Sequence, residues 1–100
     1  MKLKEQKEII LKDFDFCKVE KVMTALDWKW VMGGIPGNIE YRPNISQLKN
    51  IANTCLDLVI ESDQNEDTCS MGGFEAIKLN GMLELRFVID KANPLESLMG

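Results

Sequence analysis

Histidine is absent from this chain of 100 residues, and cysteine occurs three times, at Cys17, Cys55 and Cys69. Without an imidazole there is no Ser-His or Cys-His pair to activate a nucleophile. No two cysteines stand in Cys-x-x-Cys spacing. Three scattered thiols supply neither a zinc ligand set nor an even-numbered disulfide framework. Cys17 and Cys55 fall in apolar helical stripes, where a thiol packs as a small hydrophobe. No cysteine pair is expected, so reducing agent should change nothing. Carboxylates are the remaining reactive groups. Asp13 with Asp15, or Glu61 with Asp63, could serve as acid and base, but their spacing equally suits capping and solvation. Asp63, Asn65 and Asp67 match the first three ligand positions of a calcium loop. The match then fails, because Thr68 stands where the sharp turn needs glycine and Phe74 where the bidentate glutamate belongs. The expectation is a protein that is not an enzyme, with no catalytic residues, no metal and no cofactor.

Recognition chemistry is better represented. Gly33-Gly34 and Gly72-Gly73 could bring backbone N–H groups up to a phosphate, although neither pair lies in a Walker or dinucleotide pattern. Positive-φ turns are the plainer reading of both. Trp, Tyr and Arg are the residue types that most often dominate binding energy. Trp30, Tyr41 and Arg42 flank the loop Gly33-Gly34-Ile35-Pro36-Gly37-Asn38, and such a loop is a usual place for recognition. Trp30, Gly33, Gly34, Tyr41 and Arg42 therefore form the candidate site for a partner or ligand.

Net charge is −4. That disfavours direct nucleic-acid binding, which needs a basic stripe, but suits a basic protein surface. No apolar run approaches the length of a membrane span. The charged start Met1-Lys2-Leu3-Lys4-Glu5 precedes only Ile9-Ile10-Leu11, too little for a signal-peptide core. A cytoplasmic location is expected.

The elements that must position these residues follow from periodicity. Asn80-Gly81 suits a two-residue type I′ turn, since both residues accept positive φ. Pairing outward sets Leu79 against Met82, Lys78 against Leu83, Ala76 against Leu85, Glu75 against Arg86 and Phe74 against Phe87. One face then carries Phe74, Ala76, Leu83, Leu85, Phe87 and Ile89, with Lys78 near the turn. The other carries Glu75, Ile77, Glu84, Arg86, Val88 and Asp90. A weak helix is predicted over Leu3–Leu11. A second should be capped by Asp15, carry Phe16, Val19, Met23 and Leu26 at helical spacing with Val22 alongside, and stop near Leu26 or Asp27. Trp28–Met32 reads as the third strand of the sheet. Asn44 with Gln47 resembles a capping box for a helix running to Glu61, with Leu48, Ile51, Ala52, Cys55 and Val59 in its stripe, widened by Leu56 and Leu58. Ser62–Ser70 reads as a polar loop, and Lys91–Gly100 as irregular or weakly helical. The expected fold is α+β, a small mainly antiparallel sheet (a strand plus the C-terminal β-hairpin) packed against two or three helices. It occupies residues 1–100 as a single domain, with 1–8 and 92–100 candidates for irregular structure.

The runs Phe14-Asp15-Phe16, Lys21-Val22-Met23 and Leu26-Asp27-Trp28-Lys29-Trp30 resemble small uncharacterised proteins encoded by bacteriophages and prophages. Gly72-Gly73-Phe74-Glu75-Ala76 and Leu85-Arg86-Phe87-Val88-Ile89 are similar to the same group. The resemblance implies a bacterial host cytoplasm and a phage or mobile-element setting, where small acidic proteins often bind and block host machinery, defence systems included. The expected function is thus non-catalytic binding that modulates or inhibits a host protein. The alternative is a nucleotide-type small-ligand binder using the glycine loops with Arg42 or Arg86. No membrane partner is expected, and a homo-oligomer is left open.

Overall fold

A computed structural model describes residues 1–32 and 39–88, apart from the side chains of 30–32 and 39–41. Among the described residues, three helices and five strands follow in the order α1 (Leu3–Asp13), α2 (Phe16–Ala25), β1 (Trp30–Met32), β2 (Ile39–Tyr41), α3 (Ile45–Glu61), β3 (Glu66–Met71), β4 (Phe74–Leu79) and β5 (Met82–Phe87). The α+β expectation holds. β3, β4 and β5 form an antiparallel sheet in that order, and β1 and β2 pair separately as a short ribbon.

The β4–β5 register is the expected one, from Phe74 opposite Phe87 to Leu79 opposite Met82. Asn80 (φ 48°) and Gly81 (φ 82°) both take the positive φ that a type I′ turn requires. The third strand differs from expectation. Trp28–Met32 does not join the sheet; β1 pairs only with β2, from Trp30 opposite Tyr41 to Met32 opposite Ile39. β3, read from sequence as part of a polar loop, fills that place and pairs Glu66 with Leu79 through Met71 with Phe74. Gly72 (φ 57°) and Gly73 (φ 92°) make the two-residue turn that folds β3 back onto β4. Polar composition hid this strand, because an edge strand with one wet face needs few apolar residues.

Helix boundaries have local causes. The Asp15 carboxylate accepts from Lys18 N at 3.0 Å and caps α2. The other end of α2 is a Schellman closure: Trp28 N donates to Met23 O at 2.9 Å and Asp27 N to Thr24 O at 3.1 Å. Asp27 sits at the left-handed position of this closure with φ 51°. At α3 the capping box is complete, with Gln47 N donating to Asn44 Oδ1 at 2.8 Å and Asn44 N to Gln47 Oε1 at 2.9 Å.

α3 packs across the inner face of β3 and β4, and α1 packs against α3 and β5. The core combines Phe16, Val19 and Met23 of α2, Leu48, Ala52, Cys55, Leu56 and Val59 of α3, and Phe74, Ala76, Leu83 and Leu85 of the sheet. Phe87 and Ile51, both expected inside, are only half-buried, and Leu58, read as widening the α3 stripe, is exposed. All four phenylalanines share one aromatic chain. Phe74 lies 5.9 Å from Phe14, 5.9 Å from Phe16 and 5.3 Å from Phe87, and Phe87 lies 6.0 Å edge-on to Trp28. Trp28 therefore leaves the expected strand to cover the open end of this cluster. Gln6 ties α1 to the hairpin by donating to Gly81 O at 2.7 Å and accepting from Leu83 N at 2.9 Å. Its amide thereby occupies backbone groups at the β5 edge, one means of blunting an exposed strand. Ile89, the Gly33–Asn38 loop and Lys91–Gly100 lie outside the described residues.

Candidate interaction surfaces

Alternation along the strands divides the sheet into two chemically distinct faces. Inward lie Asp67, Cys69 and Met71 of β3, Phe74, Ala76 and Lys78 of β4, and Leu83, Leu85 and Phe87 of β5. Outward lie three cross-strand rows: Glu66, Leu79 and Met82; Thr68, Ile77 and Glu84; Ser70, Glu75 and Arg86. The outward residues of β3 and β5 are exposed throughout. With the helices packed on the opposite side, this face is uncovered among the described residues. Three glutamates stand on it against one arginine. Arg86 Nε donates to Glu84 Oε1 at 2.8 Å, and this hydrogen bond is the main cause that holds the Glu84 carboxyl below its ordinary range. Arg86 is thus turned along its own strand toward Glu84, rather than being fixed across the sheet by Glu75 alone. At one end of the face Leu79 and Met82 are 47% and 68% exposed, among the largest exposures of any apolar side chain here.

The residues singled out from sequence fall at the ribbon. β1 and β2 place Trp30 and Tyr41 as cross-strand partners, and Arg42 follows directly. The backbone therefore brings these three together; the side chains of Trp30 and Tyr41, and all of Gly33 and Gly34, lie outside the described residues. Arg42 Nη2 donates to Asp27 Oδ1 at 2.7 Å, and Lys29 Nζ lies 4.0 Å from the same oxygen. Asp27 thus clamps the chain just before β1 and just after β2. Arg42 has a role in holding the base of the ribbon that its residue type alone did not suggest.

The acidic stretch before the sheet is organised by hydrogen bonds. Lys78 reaches from the inner face to donate to Ser62 O at 2.7 Å, which explains how a lysine only 6% exposed is tolerated. The Ser62 hydroxyl and Thr68 N, with Lys78 nearby, hold the Asp67 carboxyl below its ordinary range. Asp67 is therefore a strand residue turned toward Ser62 and its own backbone. Among the described residues no group of three or more acidic or thiol side chains could hold a metal ion.

Two departures concern cysteine. Cys17, expected in an apolar stripe, is exposed. Cys55 and Cys69, expected to be unrelated, meet where α3 crosses β3, with Sγ atoms 3.8 Å apart. Only the unanticipated strand β3 could reveal this pair. A groove of about 300 Å³ lies between α2 and the end of β5, lined by Phe14, Val19, Val22 and Phe87 with Asp15 and Lys18 at its rim. Among the described residues, Arg42 of the sequence-derived candidate site is not part of its lining.

No helix among the described residues is long and apolar enough to cross a membrane. No family model, curated protein or solved structure matches this chain.

Proposed function

We propose that this chain is a non-catalytic binding protein that docks a basic surface of another protein through the uncovered face of its sheet. The observation that carries this reading is the composition of that face. It is a broad strand surface with Glu66, Glu75 and Glu84 across it and exposed Leu79 and Met82 at one end. Carboxylates steer and select a basic partner, while exposed apolar side chains supply the area that is desolvated on contact. The chain's charge of −4 adds to the same field. In the phage or mobile-element setting that the sequence resemblance implies, the partner is a bacterial host protein, a defence component among the candidates, and binding modulates or inhibits it.

The test pairs affinity capture from a bacterial lysate with equilibrium binding to the partner so identified. Glu66→Lys combined with Met82→Ser should weaken binding at least tenfold, on the basis that an anchor desolvated in the contact is worth about 2 kcal/mol. Its melting curve should stay close to the parent's, since both side chains are exposed. The comparison variant is Tyr41→Ala with Arg42→Ala on the ribbon. Loss of binding in the ribbon variant with full binding in the sheet variant would move the interface to β1–β2 and overturn the sheet reading.

A further inference from the structure

We infer that Cys55 and Cys69 form a dithiol that closes to a disulfide on oxidation, locking helix α3 to the edge strand β3. The two residues are fourteen positions apart in sequence and their sulfurs are 3.8 Å apart across the helix–sheet contact. Closure to a disulfide of about 2.05 Å needs under 2 Å of approach, within reach of side-chain rotation and a small shift of an edge strand. Their surroundings differ in a useful way. Cys55 is fully buried, whereas Cys69 is partly exposed on β3. Cys69 is therefore the sulfur that a solvent-borne oxidant reaches, and Cys55 is the one positioned to resolve it. Burial, and next the charge of Cys69, push the Cys55 thiol up to about 12. That agrees with Cys55 keeping its proton until Cys69 has reacted.

The co-reactant is a hydroperoxide, exemplified by hydrogen peroxide. Cys69 Sγ, as thiolate, attacks one peroxide oxygen; the O–O bond breaks and the departing hydroxide takes a proton to leave as water. Cys69 is now a sulfenic acid, oxidised by two electrons while the peroxide is reduced by two. Cys55 Sγ then attacks Cys69 Sγ, the S–O bond breaks, and the hydroxyl leaves as water with the proton of Cys55. In sum, two thiols and one hydrogen peroxide give one disulfide and two waters. Cys17 takes no part. It is exposed, and its oxidation would link separate chains.

The test uses the full chain with Cys17→Ser, treated with hydrogen peroxide, denatured, alkylated and mapped by mass spectrometry. No lysine or arginine lies between Cys55 and Cys69, so trypsin leaves both in one peptide spanning 50–78. The expected product is that peptide about 2 Da lighter than its reduced form and unalkylated at both sulfurs. Cleavage at the intervening Asp57, Glu61, Asp63, Glu66 and Asp67 should then yield two peptides joined until reductant is added. Cys69→Ser in the same background should abolish the mass loss and leave Cys55 alkylatable. The closed form should melt above the reduced form by on the order of 10 °C, as expected for a native loop of this length. Stable sulfinic or sulfonic acid on Cys69 without closure would overturn the inference. So would two free thiols after treatment, or a closed form that melts no higher than the reduced one.

Discussion

Phe74 has no accessible surface and touches the rings of Phe14, Phe16 and Phe87. It joins the sheet to the α1–α2 connection, and truncating it would leave a cavity bounded on three sides by rings that cannot all move in. Phe74→Ala should therefore cost about 3–5 kcal/mol in denaturant unfolding. Sequence periodicity would have assigned that cost to Phe87 as well. Phe87 is half-buried at the end of the cluster, so Phe87→Ala should cost clearly less than Phe74→Ala. Equal losses would contradict the geometry of the aromatic chain. Cys55 predicts a pH effect. Its thiol is raised from 9.0 to about 12, first by burial and next by Cys69. The folded state then keeps a proton that the unfolded chain gives up. The associated stability is complete below the unfolded value and is lost as pH rises through the folded one. Stability measured by urea unfolding should fall more steeply between about pH 9 and about pH 12 in the parent than in Cys55→Ala. Parallel slopes would show that Cys55 does not resist ionisation.

Asp27 links two elements through one strained residue. Its φ of 51° closes α2, and its carboxylate holds Arg42 at 2.7 Å beyond β2. Left-handed backbone costs a non-glycine residue up to about 1–2 kcal/mol, less for aspartate than for most. An exposed ion pair returns at most about 1 kcal/mol. Asp27→Gly should thus leave thermal stability unchanged or raise it slightly, while Asp27→Val should lower Tm, since a β-branched residue tolerates this conformation worst. If Asp27→Gly were strongly destabilising, the clamp on the ribbon would outweigh backbone strain. The termini of α2 and α3 show how much an element owes to its caps. Asp15, Asn44 and Gln47 were legible in sequence because capping is a property of residues three positions apart. The Schellman closure was not, because aspartate stands where glycine is the usual signal.

At the scale of the whole molecule, the asymmetry of the sheet matters most. α3 and the α2 core cover one face, and the other carries glutamates with exposed Leu79 and Met82. A sheet with one solvated face is a stable arrangement, so the uncovered face needs no partner in order to fold. Its charge gives a second signature of the proposed interface. Affinity for a basic partner should fall as ionic strength rises, mainly through the association rate, and Glu66→Lys should reduce that dependence. Binding that is insensitive to salt would favour a surface other than this one. The β3 edge bears Glu66 and Asp67 at its start, and charge there discourages edge-to-edge pairing of copies.

The sequence by itself determined whatever is local or periodic. The Asn80-Gly81 hairpin, its register and the division of its faces follow from a two-residue turn and an alternation of period two. The α3 stripe and its capping box are local in the same way. Tertiary structure decided what no window contains. β3 became a strand because β4 offered it an edge, although its own composition, Glu66 to Met71, reads as loop. Trp28–Met32 lost the place expected for it. Trp28 instead closes α2 and covers Phe87, leaving only Trp30–Met32 to pair with β2. The meeting of Cys55 with Cys69 exists only once β3 lies under α3. The acidic face likewise becomes one surface only when Glu66, on a strand that sequence concealed, is aligned with Leu79 and Met82. Such contacts depend on which strand wins a shared edge. That competition is set by burial across the whole fold and not by the residues of either strand alone.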